Sequence, residues 1–518
     1  MNSDKRSDDN LELLRKAYDP EAFREQGHKL VDQLADHLAD SLNGEHKQTI
    51  PWQEPEESVA FWRDFAAGSA ATTETFAQEF LSRSVRISDP RFLGHQICEP
   101  VPTAQLASLA VEMLNNGSGV YEMGMAGTGM EKYVVRQVAE AFGFSDAADG
   151  FMTSGGTLAN LTAMLAARAA RGNGEDWQVG TACSKYSILV SDQAHYCVDR
   201  AIRIMGWGND GLILVPTNDR FQMRTELLPD LLAQAKAEGR QVLGVVGSAC
   251  STSTGSFDDL RAIGQFCQAN DLWFHVDGAH GAALAFSKTH RRKLAGIELA
   301  DSVVIDFHKM MMTPVLSSAL VFRKGEDSFR AFSIEAEYLF ARDAGQLDHF
   351  NLARRTFECT KSVLSARVYS TFAIQGTKLF EANIDRLHQL TEQFAAMVEL
   401  HPHFELCVEP ETNIVCFRYA GPSAEPSHSE CNDRLRDELI REGEYYIVKT
   451  KLHGETWLRC TIANPFTAEE ELNGLLKRLV ELAITPHDEK LNHKDQTART
   501  VDSRTRFGRA DAVDVEST

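Results

Sequence analysis

What this sequence lacks narrows it quickly. Ten cysteines are scattered through 518 residues without a CxxC pair. Their neighbours are mostly apolar, as in Val415-Cys416-Phe417, the setting of buried free thiols in a reducing compartment. No apolar run approaches the roughly 20 residues of a membrane-spanning helix. The leading stretch, Met1-Asn-Ser-Asp-Lys-Arg-Ser-Asp-Asp, has no signal-peptide apolar core. Positive charge is scarce as well: 53 Lys and Arg stand against 74 Asp and Glu, a net charge of −21. Such a balance repels nucleic acid and anionic membranes and favours solubility. The expectation is a cytoplasmic protein with no nucleic-acid or membrane partner.

Familiar catalytic signatures are missing too. No GxxxxGK[ST] is present, which disfavours a nucleoside triphosphate, and Gly124-Met-Ala-Gly-Thr-Gly129 departs from GxGxxG and follows no strand. That segment reads as a loop. HExxH and Cys/His metal spacing are absent around His275, His280 and His308, so no metal is expected, and GxSxG is absent as well. There are no internal repeats.

What is there is an ordinary globular composition, 43% hydrophobic and 25% charged, enough for one large core and a smaller second one. Residues 1–10 read as a disordered lead. Leu30, Leu34, Leu38 and Leu42 recur at i+4 within a helical pattern over 11–42. This stripe lies far from any sheet element, and a partner subunit is a plausible place to bury it. Residues 43–70, with Gly44, Pro51 and Pro55, read as a connector.

From 151 to 323 strands and helices alternate. Strands are expected at 187–190, 212–215, 242–247, 272–276, 302–305 and 319–322, with helices near 158–171, 197–205, 226–238 and 258–269 between them. This rhythm predicts a doubly wound, mainly parallel α/β sheet, whose ligands sit at the carboxyl ends of its strands. Residues 324–360 suit a mobile loop over a site. A helix over 361–399, interrupted at Gly376, leads into short strands at 404–408, 414–419, 445–449 and 457–462 and helices near 429–442 and 467–483, a compact α+β unit. The expected division is a helical arm over 1–85, a large domain over 86–375, a small domain over 376–483 and a polar, disordered tail over 484–518.

Four stretches carry chemistry. In Asp301-Ser-Val-Val-Ile-Asp-Phe-His-Lys309, a lysine follows a buried strand, and desolvation favours its neutral, nucleophilic amine. By itself it reads more readily as a lysine snorkelling to the surface. Phe151-Met-Thr-Ser-Gly-Gly-Thr157 puts Ser154, Gly155, Gly156 and Thr157 at a helix start, an anion site or simply a capped turn. Asp277 ends an apolar strand and needs a partner, either a protonated ring nitrogen or a backbone N–H. His195, after Ser191-Asp-Gln-Ala, could stack on a flat ring or move protons, though a lone histidine there is more often structural. Together these are an amine, a phosphate cradle, a carboxylate and a flat imidazole. Pyridoxal 5′-phosphate asks for those parts.

At this point the sequence resembles the group II pyridoxal-phosphate-dependent amino acid decarboxylases, which include glutamate, aromatic amino acid, cysteine sulfinate and diaminobutyrate enzymes. The matching stretches also include Ser256-Phe-Asp-Asp-Leu260, Phe274-His-Val-Asp-Gly-Ala279 and His308-Lys309, in order over about residues 86–465. The resemblance implies the fold type I architecture and a homodimer with active sites at its interface. It implies that Lys309 bonds the cofactor aldehyde, that Asp277 pairs with the ring nitrogen, and that His195 stacks above the ring with Ala279 below. Gly156, Thr157 and His308 would surround the phosphate, and Thr252 would line the pocket. Leu458-Arg459-Cys-Thr-Ile-Ala-Asn-Pro465 and Asp89-Pro-Arg-Phe-Leu-Gly-His-Gln96 resemble substrate-side segments of the glutamate-type enzymes, implying Arg459, His95 and Gln96 as substrate contacts.

Two departures stand out. Asp306-Phe307 replaces the family's usual Asn-Pro before His-Lys, which is expected to change a turn only. The mobile loop lacks its usual tyrosine, and His349 or Phe350 stands there instead. The expected reaction is α-decarboxylation of an L-amino acid to its amine, leaning to a small polar or acidic substrate such as aspartate, glutamate or cysteine sulfinate, with diaminobutyrate and then aromatic substrates behind. A decarboxylating aldehyde synthase, suggested by Phe350, and a catalytically inactive regulatory paralogue are the rival readings.

Overall fold

The computed structural model describes residues 2–68, 71–173, 176–181, 185–332, 349–422 and 427–484. Helices α1 (Asn2–Ala17), α2 (Pro20–Leu42), α3 (Pro55–Ala67) and α4 (Thr73–Arg83) form an arm, followed by α5 (Pro102–Leu114) and α6 (Met125–Ala141). Then come β1 (Asp149–Thr153), α7 (Gly156–Arg171), α8 (Asp176–Val179), β2 (Tyr186–Ser191), α9 (Tyr196–Ile204), β3 (Leu212–Val215), α10 (Leu228–Ala237), β4 (Gln241–Ser248), α11 (Leu260–Asn270), β5 (Trp273–Asp277), β6 (Ser302–Asp306) and β7 (Ser318–Phe322). The described residues end with α12 (Ser365–Gln375), α13 (Thr377–Leu400), β8 (Phe404–Leu406), β9 (Ile414–Tyr419), α14 (His428–Glu442), β10 (Val448–Leu452), β11 (Glu455–Thr461) and α15 (Glu469–Ile484).

Seven strands form one sheet in the order β1-β7-β6-β5-β4-β2-β3. β2 to β6 run parallel, and β7 pairs antiparallel with both β6 and β1. Alternation along each strand feeds two cores. Val303 and Ile305 of β6 enter one core, and Val304 enters the other, with α7 and α9. Each such buried side chain contributes on the order of 2 kcal/mol. Both faces are therefore covered, the doubly wound fold type I arrangement. The second sheet, β10-β11-β9-β8, is antiparallel and carries α13, α14 and α15.

Several expectations need correction. The lead is helical from Asn2, and the 11–42 pattern divides where Asp19 caps α2 and Pro20 opens it. The connector contains α3, because Pro55 sits at the first helical position, where its missing N–H costs nothing. Gly124 caps α6, and Met125–Gly129 wind its first turn rather than a loop, drawn in by the buried Val134, Val135 and Val138 behind them. β1 was missed among the glycines that follow it. The strand expected at 445–449 begins at Val448, because Tyr446 instead bridges Phe92 of the substrate-side loop. Residues 333–348 of the 324–360 loop and 485–518 of the tail fall outside the described residues. Gly376 does break α12 from α13, as expected.

Candidate active site

A cavity of about 270 Å³ opens at the carboxyl ends of the large sheet. The β1–α7 turn brings Ser154, Gly155, Gly156 and Thr157 to it, β5 brings Asp277 and Ala279, and β6 brings His308 and Lys309. His195 comes from the start of α9, and Thr252 from the loop after β4. All ten residues assigned to the cofactor from sequence thus share one cavity.

The turn is built for an anion. Gly155 has φ +126°, a backbone that side chains rarely adopt, and it caps α7 without a side-chain acceptor for the first-turn N–H groups. A Cβ on Gly156 would lie 3.1 and 3.2 Å from the Asp306 carboxylate oxygens and 3.4 Å from the Ala279 Cβ. Only glycine leaves that cradle open, at the positive end of a 16-residue helix. Ser154 Oγ donates to Glu358 Oε1 at 3.1 Å.

Asp277 is buried at the end of β5. Its Oδ1 accepts from the Ala279 N–H at 3.2 Å, and its Oδ2 has only the Cys197 thiol at 3.9 Å. Among the described residues no cation pairs with it, so the carboxylate is short of a positive partner. His195 caps α9, its Nδ1 accepting from the Cys197 N–H at 3.3 Å. Burial, partly opposed by Asp277, lowers the pKa of its imidazole, leaving a neutral, flat ring near that carboxylate. Lys309, with 17% of its side chain exposed, makes an ion pair with Asp306 at 3.1 Å. Burial also holds His308 and His280 neutral, His280 down to about 3 while its Nε2 meets Asn413 Oδ1 at 2.6 Å.

The arrangement fits pyridoxal 5′-phosphate on its donor set. It offers an anion cradle, an amine, an unpaired carboxylate that suits a ring N–H, and a flat neutral ring. Among the described residues no group of three or more His, Cys, Asp or Glu could hold a metal ion.

Of the substrate-side residues, Arg459 adjoins the cavity through Thr252, and His95 lies near enough to feel its charge. Arg459 is buried, its Nη1 donates to the Thr252 carbonyl at 2.6 Å, and its Nε has no partner. Gln96 Nε2 is likewise buried without a partner. His95 lies 5.5 Å from the Tyr446 ring, and burial, then Arg459, lowers its pKa. His349 and Phe350 are not part of this set: they sit on Phe329 and Tyr121, at 5.4 and 5.6 Å between rings, and do not line the cavity.

Sequence reasoning missed Asn160, which also lines the cavity and joins His275 to α7 by hydrogen bonds of 2.8 and 2.9 Å. It treated Asp306 as a turn residue. Asp306 instead ends β6 and faces both Lys309 and the glycine turn, and the i,i+3 spacing of the two residues was the available signal.

Comparison with known proteins points to the same cofactor chemistry. L-2,4-diaminobutyrate decarboxylase of Acinetobacter baumannii is 29% identical over 428 residues, covering 80% of this chain and 84% of that protein. L-aspartate decarboxylase of Metarhizium robertsii is 31% identical over 369 residues, 70% of this chain and 73% of that protein. A crystal structure of mouse CSAD superposes with a TM-score of 0.83 at 27% identity, covering 90% of this chain and 99% of that one. Other relatives are named as cysteine sulfinic acid and aromatic amino acid decarboxylases. The pyridoxal-dependent decarboxylase conserved domain matches residues 99–420. With the cavity's donors already calling for pyridoxal 5′-phosphate, that match places the chain among the pyridoxal-dependent amino acid decarboxylases, carboxy-lyases that release CO₂.

Proposed function

We propose that this decarboxylase acts on a small acidic or polar L-amino acid, such as aspartate, glutamate or cysteine sulfinate, and releases the corresponding amine. The observation that carries the substrate class is buried Arg459 beside Thr252, which has no carboxylate partner among the described residues and keeps a free Nε. Unpaired buried donors favour an anionic partner. A substrate with a second amine would add another donor to a corner already short of acceptors, so diaminobutyrate ranks behind the acids, and aromatic substrates last.

When bound, the cofactor supplies an electron sink for the bond broken as CO₂ leaves. Lys309 would hold its aldehyde carbon until the substrate amine displaces it. Asp277 would hold a proton on the ring nitrogen, because its charge has no other cation to meet. His195 would stack on one ring face and Ala279 on the other. Ser154 to Thr157 and His308 would bind the phosphate, and Arg459, with His95 and Gln96, would orient a substrate carboxylate.

We further infer a homodimer. Supporting it are the exposed apolar residues of the arm, Val59, Phe76 and Phe80 among them, and an apolar recess of about 320 Å³ between α5, α6 and α12. The nine described cysteines are unpaired, which agrees with a reducing, cytoplasmic setting. No helix among the described residues is long and apolar enough to cross a membrane.

An amino acid panel assayed for CO₂ and amine tests the substrate reading. Fastest turnover of aspartate, glutamate or cysteine sulfinate supports it, and fastest turnover of diaminobutyrate or an aromatic amino acid overturns it. Aldehyde and peroxide in place of amine would favour a decarboxylating aldehyde synthase.

A further inference from the structure

We propose that Asp306 is the catalytic base of cofactor capture, taking the proton that Lys309 must shed to bond an aldehyde and returning it when the lysine is released. The inference does not depend on which amino acid is the substrate.

Placement is the first argument. Asp306 is 3% exposed at the end of β6. Its Oδ2 lies 3.1 Å from Lys309 Nζ and 3.7 Å from His308 Nε2, and its Oδ1 accepts from the Ser318 hydroxyl on β7. The other side of the carboxylate faces the glycine turn of α7, so close that a methyl at Gly156 would touch both oxygens. One carboxylate therefore borders both the nucleophile and the cradle for a phosphate. Left charged beside a bound phosphate it would repel it in a poorly solvated site.

Proton balance is the second argument. An ammonium cannot attack a carbonyl; it must first lose a proton to free its electron pair. That pair forms the C–N bond as the C=O bond breaks. Two further hydrogens of the nitrogen leave with the aldehyde oxygen as water. The third has passed to Asp306, so ammonium, carboxylate and aldehyde become imine, carboxylic acid and water, with charge conserved. The same transfer removes the negative charge facing the phosphate. In reverse, when a substrate amine displaces the lysine, Asp306 gives the proton back.

Among the described residues Asp306 is the one carboxylate within ion-pair distance of Lys309 Nζ. Each neighbouring imidazole has one ring nitrogen committed elsewhere, His308 Nδ1 to the Ser317 backbone, His280 Nε2 to Asn413 and His195 Nδ1 to the Cys197 N–H. An amide at position 306 would keep the shape and lose the base.

The test compares apoprotein of the wild type and Asp306→Asn in two assays. The first follows the rate of pyridoxal 5′-phosphate capture by stopped-flow absorbance. The second measures affinity for pyridoxine 5′-phosphate, which has the phosphate and ring but no aldehyde. The expected result is capture slowed by about a hundredfold or more, with pyridoxine 5′-phosphate held as tightly or more tightly. Capture within twofold of wild type overturns the proposal. So does parallel weakening of both ligands, the mark of a merely structural role. Should Asp306→Asn fail to fold, Ser318→Ala, which loosens the carboxylate without removing it, carries the same comparison with an expected slowing of about tenfold.

Discussion

Two regions of this molecule bury charge, and they do so differently. Against the β1 edge of the large sheet, Lys361 and Glu131 form an ion pair at 2.5 Å with almost no exposure, and Glu131 also accepts from the Met152 N–H at 2.8 Å. Beside them the fully buried Arg355 meets Asp149 at 2.7 Å, and Lys132 reaches the same carboxylate at 2.5 Å. Every charge there has an opposite neighbour. In and beside the cavity, Asp277 has no cation and Arg459 no carboxylate among the described residues, and the Asp306–Lys309 pair faces the glycine turn. Paired buried charges hold chain segments in place; buried charges short of partners are poised for a ligand.

The sharpest way to break this contrast is at its two lysines. Lys309→Ala should cut CO₂ release on the order of a thousandfold or more, measured by isotope release from a labelled amino acid, with a smaller loss of stability because Asp306 keeps the Ser318 hydroxyl and borders the open cavity. Lys361→Ala should instead cost about 3–5 kcal/mol in urea unfolding, because it strands a buried carboxylate, while the residual folded protein keeps its turnover. Equal loss of stability in both variants would erase the distinction.

Asp277→Asn sharpens it further. Turnover should fall about a hundredfold, with the unfolding free energy changed by less than about 1 kcal/mol, since no internal salt bridge is lost. Arg459→Gln should lower kcat/KM for an acidic amino acid by about tenfold or more, the worth of one charge-assisted hydrogen bond, and steady-state kinetics across acidic and neutral substrates would show it.

The smallest effect concerns pH. Burial lowers His275 to about 4 and His388 to about 4. Both stay neutral in the folded chain where an unfolded imidazole, near 6.5, would take a proton. Their contribution is therefore fully present above about pH 6.5 and is lost as pH falls towards 4, at on the order of 1 kcal/mol per imidazole for each pH unit. Thermal unfolding between pH 7 and 5 checks the sign, and His388→Gln should flatten the slope.

The residues of the cavity were legible because each is tied to a local pattern: a glycine pair opening a helix, an aspartate or a lysine closing a β-branched strand. What brings them together is sheet order, and the alternation of Val303, Val304 and Ile305 between two cores already implied a sheet covered on both faces. Contacts between segments far apart in sequence were not legible. Arg459 reaches Thr252 across 207 positions, and nothing local announces it. β1 was hidden because a glycine follows its first residue and its register is set by β7, not by its own pattern. Asp306 was visible but misjudged, because strand-end geometry, not turn chemistry, aims its carboxylate at Lys309 and the glycine turn.

The central claim is that this cavity holds pyridoxal 5′-phosphate through Lys309. Borohydride reduction of the protein loaded with pyridoxal 5′-phosphate, followed by peptide mass spectrometry, tests it most directly. The account predicts one stoichiometric phosphopyridoxyl group on Lys309; a label on another lysine, or on none, would contradict it.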